Sequence, residues 1–148
     1  VRTCAKRPVH INALPNQVSI AKLDLDLDYV LVVNSRTVAV SLEGWAVESN
    51  PGGQVYTFGS NSQLQPGGCI LLVSGSEETQ ASAIADVRAA VGDGVLVERW
   101  TKRYVWNNEG DAARLLGPDG EVHDEIQSSW CEHDAVVATV SRQSLAQE

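Results

Sequence analysis

The chain alternates between short apolar runs and turn residues over most of its length. From Leu23 to Val33 every odd position is apolar, whereas the even positions from 22 to 28 are Lys or Asp. Such alternation is typical of a strand with one buried face and one face in water. The same pattern predicts shorter strands at 38–42, 44–47, 54–58, 69–73, 95–100, 104–106, 112–116 and 121–127. Short strands at this spacing predict an antiparallel β-sandwich or barrel.

The clearest turn signal lies in the stretch Trp100–Ile126. Pro118-Asp119-Gly120 joins two strand-like runs there, and Asp-Gly between apolar runs is a strong hairpin signal. The stretch therefore indicates antiparallel sheet without a pocket-forming loop. This favours a module that binds or scaffolds over a catalyst.

One segment has helical periodicity instead. The segment Glu77–Val91 is rich in Ala and places Ile84, Val87 and Val91 on one helical face. Ser74 or Ser76 can cap its start, and Gly92 can end it. We predict a short helix inserted in a loop that crosses between the two sheets.

The two ends of the chain lack a regular pattern. Residues 1–16 are basic, contain two prolines and are predicted to form an extended N-terminal arm. Residues 130–148 are ambiguous between helix and strand and are interpreted as a peripheral tail. One domain is then expected at 17–129. The chain starts at Val1 and contains no Met and no apolar signal segment, so we expect a processed product or a piece of a longer protein.

Charge and the length of the apolar runs argue against two classes of partner. The net charge of −8 disfavours nucleic-acid binding through bulk electrostatics, which needs clustered Lys and Arg. Two local basic clusters are interpreted as ordinary surface charge: Arg2, Lys6 and Arg7, and Arg99, Lys102 and Arg103. No apolar run approaches the roughly 20 residues of a membrane helix, so a soluble chain without a membrane span is expected.

The three cysteines are Cys4, Cys69 and Cys131. An odd count at wide spacing differs from a secreted disulfide framework, which favours an intracellular, reducing environment. Cys69 lies in an apolar run and is predicted to be a small core residue. A bridge between Cys4 and Cys131 remains open.

Three aspartates resemble a calcium loop at first sight. An EF-hand that began at Asp24 would need Gly at position 29 and Glu at position 35, but these positions hold Tyr29 and Ser35. We therefore predict that Asp24, Asp26 and Asp28 form a solvated acidic face that also blunts an edge strand. A weak surface cation site involving Asp26 and Asp28 is the alternative.

The other metal and nucleophile candidates have no recognisable spacing. His10, His123, His133 and Cys131 contain no standard zinc pair, and His123 is expected to be a partly exposed strand residue. The chain has no G-x-S-x-G, H-E-x-x-H or P-loop motif. No catalytic, metal or cofactor-binding residue is therefore assigned, although a Ser–His–Asp triad remains open because geometry defines it.

The four tryptophans are candidates for both the core and a binding surface. Trp45, Trp100 and Trp106 lie in or beside predicted strands, where a large aromatic supplies buried area. Trp130 follows the last strand, and the core and exposed interpretations remain open for it. An exposed tryptophan would indicate a binding hot spot.

Over residues 17–129 the chain resembles the lamin tail domain, the immunoglobulin-like module at the end of nuclear lamins. Five elements occur in the family's order: DYVLVVN at 28–34, VSLEGW at 40–45, YTF and LQPG at 56–67, WNNEGDAARLL at 106–116, and Pro118-Asp119-Gly120 with Asp124. The resemblance implies a two-sheet sandwich without catalytic machinery. In lamins such tails dock proteins and chromatin, and elsewhere they act as accessory modules.

We therefore expect a non-catalytic protein–protein interaction or scaffolding domain that serves a larger assembly or parent protein. The alternative is an accessory module of a secreted protein or enzyme that recognises a glycan or another surface polymer. A hydrolase on a sandwich scaffold is a third hypothesis, which no visible nucleophile or metal set supports.

Overall fold

The computed structural model describes residues 13–129, which form ten strands and one helix. Sheet I contains β1 (Val18–Asp24), β2 (Tyr29–Asn34), β7 (Cys69–Ser74) and β8 (Leu96–Thr101), in that spatial order. Sheet II has the order β10 (Val122–Ser129), β9 (Gly110–Leu116), β4 (Ala46–Asn50) and β5 (Val55–Thr57). The short strands β3 (Val40–Ser41) and β6 (Gln63–Leu64) pair separately. The predicted all-β, immunoglobulin-like sandwich is confirmed.

The two sheets face each other across an inter-sheet core. Alternate residues of β2 and β7, such as Val32 and Leu72, pack there with Leu115 and Ile126 of sheet II. Trp106 is buried at the same level, and its ring makes an edge-to-face contact with Trp100 at a centroid separation of 6.0 Å. Trp45, Trp100 and Trp106 therefore supply core area, as expected for aromatic residues beside strands.

The central strands β2 and β7 of sheet I are buried on both faces, which corrects the prediction of one face in water. The other residues of β2 and β7, among them Leu31 and Val73, enter a second, helix-side core beneath α1 (Glu77–Val91). Val87 of α1 is fully buried against them. A strand covered on both faces needs a continuous apolar run, and this explains why residues 29–33 contain no charged side chain.

The helix joins two neighbouring strands of one sheet. β7 and β8 pair in parallel, and a parallel pair needs a crossover connection, usually a helix. The prediction that the helix crosses between the sheets was therefore wrong, and one pair in the sandwich is not antiparallel. The predicted helix bounds and caps are confirmed: Ser76 accepts a hydrogen bond from Thr79 N, and Gly92 ends the helix.

Two predicted strands were wrong, β6 was missed entirely, and β1 was missed over most of its length. The run 23–33 is interrupted by a turn at 25–28 that separates β1 from β2, and most of β1 had not been predicted. Residues 104–106 are not a strand. The hairpin at Pro118-Asp119-Gly120 is confirmed between β9 and β10. Among the described residues, no helix is long and apolar enough to cross a membrane.

Candidate protein-interaction surface

Asp28 is the most enclosed acidic side chain of the aspartate run. Its residue is fully buried at the end of the β1–β2 turn. Backbone N–H groups of Val105 and Trp106 donate to its two carboxylate oxygens at 2.9 and 3.0 Å, and the Ser74 hydroxyl donates as well. The predicted solvated face is therefore wrong for Asp28, although Asp26 is exposed.

The environment of Asp28 fits a structural role. Burial raises the pKa of its carboxyl group, while the hydrogen bonds from Ser74, Val105 and Trp106 act in the opposite direction. These donors come from the end of β7 and from the loop after β8, so the carboxylate ties three distant segments together. The side chain has no exposed surface and cannot contact a substrate.

Asn34 and Asp124, two more polar residues of the five sequence elements, are also buried and connect distant segments through hydrogen bonds. The Asn34 amide donates to the carbonyl oxygens of Val38 and Leu64 at 2.9 and 3.1 Å. Asp124 in β10 accepts the Ile20 N–H of β1 at 2.7 Å and thereby joins the edges of the two sheets. Buried polar groups need such partners, so these residues are explained by the architecture.

The remaining candidates do not form a metal or catalytic cluster within residues 13–129. No group of three or more His, Cys, Asp or Glu side chains in that range is arranged to hold a metal ion. His123 is exposed and lies 4.8 Å from the Trp45 ring, measured between centroids. Cys69 is a free, half-buried thiol whose pKa is raised by burial.

Several predicted residues lie outside the described range and stay predictions. They are the members of the possible Cys4–Cys131 bridge and the residues His10, His133 and Trp130. Residues 1–12 of the predicted arm and the whole predicted tail at 130–148 also lie outside the described range, so the bounds of the arm and the tail stay predictions. Trp100, a candidate for glycan contact, is half-buried between Tyr56 and Trp106.

The outer edge of β8 is the first surface feature that the core does not explain. β8 is the last strand of sheet I, and within the described part of the chain no strand pairs with its outer edge. It is the least buried strand of that sheet, and Leu96 at its start is 40% exposed. An open edge presents unpaired N–H and C=O groups that can template another strand.

A groove lies between β8 and the helix beside it. We call it the α1–β8 groove; it has a volume of about 500 Å³. The helix lines it with residues three or four apart on one face, namely Glu77, Gln80, Ala81, Ile84, Ala85 and Arg88. Arg99 of β8 and Lys102 complete the wall. The groove is therefore lined by both apolar and charged side chains.

Gln80 and Arg99 fix the geometry of the groove. The buried Gln80 amide donates to the carbonyl oxygens of Gly75 and Thr101 at 3.0 and 3.2 Å. Its own carbonyl accepts the Arg99 guanidinium at 2.6 Å. The hydrogen bonds hold the first turns of α1 against β8, so the groove is formed before any ligand arrives.

The groove has an excess of positive charge in an acidic chain. Arg88, Arg99 and Lys102 face one carboxylate, that of Glu77. Lys102 and Glu77 approach to 3.5 Å, but both side chains are more than 80% exposed, and such pairs contribute little. Arg88 and Arg99 make no ion pair with any residue in 13–129. A local cationic site thus persists despite the net charge of −8.

Sequence reasoning did not identify the groove. Arg99 and Lys102 were interpreted as ordinary surface charge, and the structure places them beside Arg88, eleven or more residues away in sequence. The available signal was a second stripe on the helix, offset from Val87, with small residues at 81 and 85. That stripe indicates a groove only when β8 is known to lie next to α1.

Comparison with known protein families supports the fold directly. Residues 9–129 match the lamin tail domain, and the chain therefore belongs to this family. No curated protein shows significant similarity to it. The match confirms the resemblance inferred from the five sequence elements. Lamin tail domains are non-enzymatic, immunoglobulin-like modules with interaction or structural roles.

Proposed function

We propose that this chain is a non-catalytic protein-interaction domain that serves a larger assembly or parent protein. The observation that carries this proposal is the outer edge of β8, which no strand within residues 13–129 covers, beside the α1–β8 groove. The conspicuous buried polar residues Asp28, Asn34 and Asp124 hold the fold together. The remaining surface features, the β8 edge and the α1–β8 groove, suit the binding of another polypeptide.

Edge strands and grooves are a recurrent means of protein recognition. A partner segment gains main-chain hydrogen bonds at the edge and side-chain contacts in the adjacent pocket. Binding of this kind requires no conformational change, because hydrogen bonds of Gln80 and Arg99 already hold α1 against β8. The sandwich then acts as a rigid support for the interaction surface.

Cross-linking in the source cells, followed by mass spectrometry, tests the proposal. We expect the tagged full-length chain to give reproducible, stoichiometric cross-links to a small set of proteins. Cross-links that are no more specific than those of an unrelated acidic domain would refute the proposal. Turnover of generic ester, phosphate or nucleic-acid substrates that one substitution abolishes would also refute it.

A further inference from the structure

The α1–β8 groove lies between the helix and β8, the edge strand of sheet I. Val97, Arg99 and Thr101 alternate with Glu98 and Trp100 along the strand. Arg99 contacts Gln80 of the helix, whereas Glu98 accepts hydrogen bonds from groups on the inter-sheet side. A strand added to the β8 edge would therefore direct every second side chain toward α1.

Side chains on that face would meet two kinds of surface. Ala81, Ile84 and Ala85 offer a small apolar patch. Arg88 and Arg99 line the groove without a carboxylate partner among the described residues. An incoming segment with small apolar and acidic side chains would satisfy both.

From this arrangement we propose that the α1–β8 groove binds an extended acidic segment of a partner protein as an additional strand on β8. The inference rests on the proposed interaction function and specifies its ligand chemistry. Main-chain hydrogen bonds to β8 supply affinity. Carboxylates that approach Arg88, Arg99 and Lys102 supply specificity and faster association.

Charge complementarity favours an acidic occupant over other polypeptides. A charged residue on an edge strand normally discourages pairing. Arg99 would repel a basic strand and would lose its hydration beneath a closely packed apolar strand. An acidic segment converts that residue from an obstacle into a contact. Guanidinium groups bind carboxylates through two parallel hydrogen bonds when the geometry allows, which suits a groove with two arginines.

The test uses the full chain and a fluorescein-labelled octapeptide of glutamate and valine, with binding measured by fluorescence anisotropy at low and high salt. Two control peptides replace glutamate by lysine or carry methylated backbone amides. The groove variant is Arg88→Glu with Lys102→Glu. Its matched control is Arg36→Glu with Arg103→Glu, which makes the same charge change at exposed positions outside the groove.

We expect saturable binding of the acidic peptide that weakens as salt increases. The groove variant should lose at least tenfold in affinity, the matched control less than about threefold. Neither control peptide should bind comparably, and amide exchange should slow across Leu96–Thr101 in the complex. Circular dichroism and thermal melts of both variants identify any loss of fold.

Three results would overturn the inference. They are absence of binding at millimolar peptide, equal binding of the lysine peptide, and equal losses in the groove variant and its control. Concentration-dependent self-association that the groove variant abolishes would instead assign the groove to a second copy of the chain. If the groove variant keeps all cellular cross-links, the interaction function stands and this site for it fails.

Discussion

Replacement of Asp28 by Asn tests whether its hydrogen bonds outweigh the cost of burying its charge. The two side chains have nearly the same shape, so packing is preserved. The carboxylate accepts from Val105 N through one oxygen and from Trp106 N through the other. An amide has only one acceptor, and in either orientation its NH₂ group faces a backbone N–H.

One buried N–H is therefore left without an acceptor, which costs about 1–3 kcal/mol. In a domain of this size the loss corresponds to a decrease in Tm of about 2–10 °C. Urea unfolding followed by tryptophan fluorescence measures the free energy of unfolding. Asp26→Asn is the matched control, because Asp26 lies exposed in the same turn, and its effect should stay within about 0.5 kcal/mol.

The pH dependence provides an independent sign test. Because burial raises the pKa of Asp28, the folded state binds the proton more readily than the unfolded state does. This contribution to stability is complete below the unfolded-state pKa and is lost as the pH rises through the folded-state pKa. The protonated carboxyl keeps acceptor capacity on both oxygens, which the Asn amide lacks, so Asp28→Asn should be less stable than the wild type at low pH. The stability gap between the two proteins should then narrow as the pH rises above about 4.

Two results would contradict these predictions for Asp28→Asn. If Asp28→Asn is as stable as Asp26→Asn, or more stable than the wild type, charge burial costs more than the two N–H bonds return. A gap that widens with rising pH would contradict the direction of the pKa shift.

Three further substitutions test local structure, each measured by thermal and urea unfolding. Asn34→Asp removes an amide that donates to buried carbonyl groups and should destabilise the fold by roughly 2–4 kcal/mol; an unchanged midpoint would contradict its role as a tie. Ser76→Ala removes the N-cap of α1 and should cost about 1 kcal/mol, whereas Ser82→Ala on the exposed helix surface should not. Gly44→Ala places a side chain on a residue with φ of +84° and should destabilise the fold by about 1–2 kcal/mol. Gly94→Ala is the control and should cost less, because the φ of Gly94 is outside the left-handed region and the added carbon meets no atom within 4 Å.

Local patterns were sufficient where neighbouring residues decide the structure. The bounds of α1 followed from its composition, its cap and Gly92. The β9–β10 hairpin followed from Pro118-Asp119-Gly120, because a tight turn is set by the backbone preferences of its own residues. Ordered sequence elements also identified the family.

The sequence patterns gave wrong predictions where the burial of a residue depends on the distant segments that pack against it. The alternation at 23–28 continued into the run 29–33 and concealed a turn between two strands. The same continuity made Asp28 look solvated, although its partners lie more than 40 residues away along the chain. Contacts at that separation have no local signature.

The sequence by itself thus determined the β-rich class, the helix, the final hairpin and the family. The tertiary structure alone decided that α1 covers sheet I, that β7 and β8 run in parallel, and that Asp28 is buried. It also decided that Arg88 and Arg99 line one groove. The physical reason is that turn and cap preferences act over a few residues, whereas burial, strand order and convergent charge arise from segments that meet only when the chain folds.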